Sequence, residues 1–317
     1  MIETRLTKFF DIEFPILQAP MAFAAGGALA SAVTQAGGLG FIGGGYGDAA
    51  WLKHEFKAAG NTHIGCGFIT WSLAKQPELL TQALEKNPKA IFLSFGNPAP
   101  FVAEIKAAGV PLICQVQTLK DAKHAIASGA DIIVAQGAEA GGHGEKRATF
   151  TLVPEVADYI ANAAPEVLLV AAGGIADGRG LAAGLMLGAD GVLVGSRFWA
   201  AKEALVHPAV LKAAIGASGD DTLRTSVIDI VRGRDWEERY DCRVLDNRFT
   251  AEWHGNEAGL KNDKAAHEKW QQAALDGNPA IANGIVGEAV GLIHDIVPAK
   301  DIVRQMVEQA KTSLKRY

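Results

Sequence analysis

The chain has 317 residues, 49% of them hydrophobic and 21% charged. That is enough apolar side chain for a large core and excludes wholesale disorder. The formal net charge of -5 favours neither a nucleic-acid surface nor attraction to an anionic membrane.

The first residues, MIETRLTKFFDIEFP, lack the basic start and long apolar run of a secretory signal. Eight short, continuously apolar runs then follow, at 15–20, 39–43, 63–70, 90–96, 111–116, 131–137, 166–173 and 191–196. Such runs are expected of parallel strands covered on both faces. Ala-rich segments such as GALASAVTQAG and TLKDAKHAIASGA lie between them and read as helices. The starts are 24, 24, 27, 21, 20, 35 and 25 residues apart. This rhythm predicts an α/β fold of the (β/α)8 TIM-barrel type. A doubly wound sheet is the alternative, because periodicity does not report closure. Gly38, Gly40 and Gly43 match GxGxxG, but the third ends an apolar run and opens no helix, so the dinucleotide signal is weak.

Beyond residue 205 the rhythm stops. Residues 208–280 are polar and helix-like, with the charge cluster RGRDWEERYDCR and with Trp236, Trp253 and Trp270. The cluster reads as a solvated, salt-bridged helix face. The expected organisation is a barrel of residues 1–207 plus 281–317, the latter amphipathic helices, with a helical subdomain at 208–280 inserted after the eighth strand. An insertion there lies near the strand C-termini, where barrel enzymes keep their active sites.

No run reaches the roughly 18 apolar residues of a membrane span. Cys66, Cys114 and Cys242 form no CxxC pair and no disulfide framework, and the histidines are scattered without HxxxH or HExxH spacing. A soluble cytoplasmic protein without a metal centre is expected, with no nucleic-acid or membrane partner and with a homodimer left open.

The longest interval follows the sixth run and holds QGAEAGGHGEKR, residues 136–147. A single His143 stands among small residues just past a strand end. Histidine suits proton transfer near neutrality, and Gly141 and Gly142 let backbone approach a ligand closely. A solvated loop histidine is the plain alternative. The seventh run ends in Gly173 and Gly174 and the eighth in Val194, Gly195, Ser196 and Arg197. Loops in these places often hold a phosphate. Ser196 offers a hydroxyl and Arg197 a charge. The first run ends in Pro20, Met21 and Ala22, an apolar wall for a flat ligand or simply a strand-ending turn. Gln115 and Gln136 are polar residues inside apolar runs and need partners if buried.

Together PILQAPMA, QVQTLKDAKHAIASGADIIVAQGAEAGGHGE and AAGGIADGRGLAAGLMLGADGVLVGSRF, spanning most of residues 11–200, resemble the nitronate monooxygenase family. The resemblance implies a barrel holding FMN at the strand C-termini. It assigns Pro20, Met21 and Ala22 to the side of the flavin, and Gln115 and Gln136 to its ring system or ribityl chain. Gly141 and Gly142 would bring the loop close, while Gly173, Gly174, Val194, Gly195 and Ser196 would hold the phosphate. His143 matches the active-site histidine. Many relatives have Asn where this chain has Gly67, so one side-chain contact to the cofactor is missing or replaced.

The implied activity is FMN-dependent oxidation of alkyl nitronates, or nitroalkanes, by O2 to carbonyl compounds and nitrite. An FMN-dependent NAD(P)H-linked reductase, of enoyl-ACP reductase or NADH:quinone reductase type, is the second reading. An isomerase or aldolase barrel without flavin is the third. It would need a lysine or carboxylate at a strand end, and Glu139 is the only loop carboxylate well placed.

Overall fold

Each of the eight apolar runs forms a parallel strand in the computed structural model, which describes residues 2–315. The strands, with three others, are β1 (Ile16–Gln18), β2 (Phe41–Gly45), β3 (Gly65–Ile69), β4 (Ile91–Ser94), β5 (Leu112–Val116), β6 (Ile132–Gln136), β7 (Gly142–Gly144), β8 (Leu168–Ala172), β9 (Gly191–Val194), β10 (Thr222–Thr225) and β11 (Asp241–Leu245). The large sheet runs β1-β9-β8-β6-β5-β4-β3-β2. Its ends meet at a parallel bridge between Leu17 and Leu39, where Gln18 N donates to Leu39 O at 2.9 Å and Leu39 N to Ile16 O at 3.0 Å. Closure makes the sheet a barrel and removes the doubly wound alternative.

Alternation along the strands divides the core in two. Leu17, Phe41, Phe92, Ile113, Val134, Val170 and Leu193 fill the barrel interior. Ile16, Ile42, Ile91, Leu93, Ile133 and Val192 face outward and pack under the helices. The helix Arg5–Phe10 plugs the end where the strands begin, with Leu6 and Phe10 in the interior cluster. Arg5 fixes it there by pairing with Asp190 at 2.8 Å and donating to Pro165 O at 2.6 Å.

Strand β3 carries no inward side chain at Gly65 or Gly67. A Cβ on Gly65 would lie 2.3 Å from the Phe41 ring, and one on Gly67 would lie 2.4 Å from Pro20 Cβ. The two glycines make room for neighbouring rings. The GxGxxG glycines likewise serve packing: a Cβ on Gly40 would meet Ala30 O at 2.1 Å, and one on Gly43 would meet Met21 O at 2.3 Å.

The segment 208–280 is largely helical, in Pro208–Ile215, Val227–Val231, Arg248–Trp253, Glu257–Asn262 and Lys264–Leu275. It also contains β10 and β11, which its polar sequence did not announce. These two pair antiparallel, and β11 pairs antiparallel with β7. The cluster RGRDWEERYDCR is not a helix face, because the helix ends at Val231 and β11 begins at Asp241. Instead Trp236 and Tyr240 turn inward from this loop. The C-terminal helix Ala299–Leu314 is amphipathic, as expected, and packs Ile302, Val303, Met306 and Val307 into the outer layer beside the helix Gly178–Met186. No helix among the described residues is long and apolar enough to cross a membrane.

Candidate active site at the barrel mouth

The loop after β6 would be loose on composition alone, but two arginines from the inserted sheet hold it. Arg224 donates to Ala138 O at 3.2 and 3.0 Å and to Asp241 O at 2.7 Å. Arg243 donates to Ala138 O at 3.1 Å and pairs with Glu288 at 2.9 Å. Burial and then the neighbouring Arg243 charge lower the Arg224 pKa from its ordinary value. The two arginines pair across the β10–β11 ladder on one face, while Cys242 and Val244 are buried on the other.

The same sheet places His143. Its Cα partner across the β7–β11 ladder is Cys242, and the imidazole is 8% exposed. Nε2 lies 2.9 Å from both Asp229 oxygens, and Asp229 is itself buried. The Trp236 indole stacks on the imidazole at 3.4 Å between ring centres and 8° between planes. Trp236 Nε1 donates to Tyr46 Oη at 3.1 Å, while Phe95 meets the imidazole edge-on at 6.1 Å. Burial lowers the His143 pKa; the Asp229 hydrogen bond and charge oppose it, and Arg232 and Arg224 add to the lowering. Burial pushes the Tyr46 phenol up to about 12.

The glutamines form a network. Gln136 Oε1 accepts from Gln115 Nε2 at 3.1 Å and from Gln117 Nε2 at 2.8 Å. Both of these bonds use the Gln136 oxygen, and Gln136 Nε2 donates to no described residue. Beside them a cavity of about 220 Å3 is lined by Thr70, Phe95, Gln115, Gln117, Arg239 and Tyr240. The buried Thr70 Oγ1 also has no partner there.

The predicted glycines fall at the same end of the barrel. Gly142, Gly173 and Gly174 have φ of 76°, 103° and 73°, a region that favours glycine. A Cβ on Gly142 would meet only Ile285, at 3.6 Å, and one on Gly195 only Ala19, at 3.8 Å. Open space therefore faces these two positions. Gly141 differs: its Cβ direction runs into Val286 and Gly287 at 2.5 Å, so it serves close packing of the loop. Ser196 Oγ accepts from Gly287 N at 2.9 Å and keeps its own hydrogen to donate. Pro20, Met21 and Ala22 are partly exposed just beyond β1, which pairs with β9.

Some expected roles change. Gly67 is buried beneath Pro20 and offers no side chain to the mouth. Val194 is fully buried; its side chain belongs to the outer core and its carbonyl accepts from Ala19 N at 3.0 Å. Arg197 adds no free charge, because it is buried and pairs with Asp295 at 2.5 Å. Glu139 accepts from Thr149 N at 3.0 Å and from Thr149 Oγ1 at 2.9 Å, at the start of the helix Thr149–Ala163. That removes the carboxylate required by the flavin-free isomerase reading.

The family model described as nitronate monooxygenase matches residues 3–63 and 69–309. The chain belongs to the nitronate monooxygenase family. Nitronate monooxygenase of Neurospora crassa is 36% identical, over 95% of this chain and 90% of the relative. Among solved structures, FabK from Thermotoga maritima aligns with a TM-score of 0.86 at 30% identity, over 100% of this chain and 98% of that one. Nitroalkane oxidase from Streptomyces ansochromogenes aligns with a TM-score of 0.80 at 25% identity, over 98% and 99%. The chain is thus an oxidoreductase of the nitronate monooxygenase type. The internal gap in the match, 64–68, covers most of β3 and includes Gly67. Asp229, Trp236, Gln117 and Arg224 are the neighbours of this site that sequence reasoning missed.

Proposed function

We propose that this nitronate monooxygenase family member binds FMN at the barrel mouth and oxidises alkyl nitronates with O2, giving a carbonyl compound and nitrite. The observation that carries the reading is His143, held at the strand C-termini by Asp229 beside polar groups that lack protein partners. The residues fit a flavin. Open space at Gly142 and Gly195, with the Ser196 hydroxyl, suits a phosphate tail. The Gln136 amide and the Gln115–Gln117 pair suit the polar edge of a ring system, and Pro20, Met21 and Ala22 supply an apolar wall.

When bound, the flavin supplies the electron transfer between nitronate and oxygen. The chain supplies binding, orientation and protection from water. His143 faces the substrate and either hydrogen-bonds the nitro oxygens or takes a proton from the α-carbon. Trp236 and Tyr240 screen it from solvent. Residues 208–280 serve in this reading as the cap of the site, over a barrel of residues 1–207 and 281–317.

The test is His143→Asn, assayed by oxygen uptake with a nitronate and with its parent nitroalkane. Loss on either substrate supports the assignment; undiminished turnover of both removes His143 from the reaction. A reductase using NAD(P)H is the second reading, favoured by the close likeness to FabK from Thermotoga maritima.

A further inference from the structure

We infer that Asp229 is a positioning residue that fixes His143 as the Nε2–H tautomer, leaving Nδ1 as the basic atom, and that this equips the site to deprotonate neutral nitroalkanes. The inference rests on the proton-abstracting form of the reading above and adds the residue that orients its base.

The geometry is specific. Both Asp229 oxygens lie 2.9 Å from the same imidazole nitrogen, across 86 residues of sequence. A carboxylate only accepts hydrogen bonds, so the nitrogen between its oxygens carries the hydrogen. Nδ1 has no hydrogen-bond partner among the described residues. A neutral imidazole with one nitrogen so occupied has its lone pair on the other. Asp229 is itself in a setting that makes little sense for a surface charge. It is 3% exposed in the short helix Val227–Val231, beside fully buried Val227 and nearly buried Ile228. A buried carboxylate without a partner is costly, so its contact with His143 is the feature that makes it tolerable.

The chemistry follows. The α-C–H bond of a nitroalkane breaks, its proton goes to Nδ1, and the electron pair passes into the nitro group to form the nitronate. The imidazolium so formed lies against the Asp229 carboxylate, which lowers the cost of the charge. An alkyl nitronate needs no such step, because it is already deprotonated.

Several groups surround the imidazole: Asp229 and Arg232 from the helix Val227–Val231 and its end, Arg224 from β10, Cys242 across the ladder on β11, Phe95 after β4, and Trp236 from the loop, with Tyr46 and Tyr240 packed on Trp236. Burial raises Cys242 above the ordinary thiol range and lifts both tyrosines to about 12, so none of these three ionises near neutrality. Asp229 is then the one acidic side chain bonded to the ring, with Arg224 and Arg232 nearby.

Two measurements test the inference. Long-range 15N–1H correlation spectra of the wild-type holoprotein, with the His143 signals assigned by their loss in His143→Asn, report the tautomer directly. The Nε2–H form is expected; the Nδ1–H form overturns the inference, and no variant of Asp229 need fold for this result. Asp229→Asn is then assayed on a nitroalkane and on its nitronate. The nitroalkane-to-nitronate ratio of kcat/KM is expected to fall about 100-fold or more. The acid limb of the nitroalkane profile should move to lower pH, since the carboxylate raises the His143 pKa. Asp229→Glu, which keeps the charge, should recover part of the ratio. Equal losses on both substrates with an unmoved acid limb would make Asp229 merely structural. If wild-type protein oxidises neither substrate, the functional reading fails, while the spectra still decide the tautomer.

Discussion

The Trp236 indole lies parallel to the His143 imidazole, with ring centres 3.4 Å apart, and so covers one face of the group proposed to meet substrate. The contact excludes water from an imidazole whose pKa is lowered first of all by burial. Trp236→Ala should therefore let the pKa rise, and the base form would then require a higher pH. The acid limb of kcat/KM against pH is expected to move up, opposite to the effect of Asp229→Asn. A limb that stays in place would show that Trp236 does not control hydration of the ring.

His143 also links stability to pH. Its folded pKa lies below the ordinary value of roughly 6.5 expected when unfolded. The stability contributed is full above the unfolded value and is lost as pH falls towards the folded one. Urea midpoints of wild type and His143→Gln, measured at about pH 8 and about pH 5.5, check this. The wild type should lose more stability on acidification than the variant. An equal loss in both would contradict the sign.

Arg224 holds the His143 loop from the inserted sheet. Replacing it with Met removes the Arg224 donor from the Asp241 carbonyl and leaves the Ala138 carbonyl to Arg243 alone. Destabilisation of about 2–4 kcal/mol is expected, read as a lower melting temperature. Arg224→Lys should not restore it, because one ammonium cannot reproduce a planar fork reaching two segments. Wild-type melting of the lysine variant would refute that role.

How much of this was legible in the sequence depended on the physics involved. The barrel was, because strands such as Ile132–Gln136 and Leu168–Ala172 are buried on both faces and read as continuous apolar runs. The placement of the candidate glycines and of His143 at the barrel mouth was, because they stand at strand ends. Strands β10 and β11 were not. TLRT and DCRVL are short, Arg224 and Arg243 share a face that binds carbonyls, and Cys242 and Val244 leave only a two-residue apolar alternation on the other. Asp229 was hidden because its partner is 86 residues away. One local sign existed: a lone carboxylate inside the apolar run Val227–Val231. Trp236 sat among charges that look solvated, and only the fold turns it inward.

Gly67 gives a prediction of the opposite kind, where adding a side chain should harm. A Cβ there would lie 2.4 Å from Pro20 Cβ and 3.4 Å from Phe92 Cβ. Gly67→Ala is expected to cost about 1–3 kcal/mol through overpacking, measured by thermal unfolding of the holoprotein. Unchanged stability would mean that Pro20 moves aside freely, and that Asn at this position could be accommodated.

The barrel is proposed to hold a flavin that passes electrons from a nitronate to oxygen. Oxygen uptake by the purified protein, given an alkyl nitronate without any nicotinamide, addresses it most directly. Uptake with release of nitrite and a carbonyl product is the predicted result. No uptake with nitronate, together with rapid bleaching of a bound flavin by NADH, would contradict it and favour the reductase.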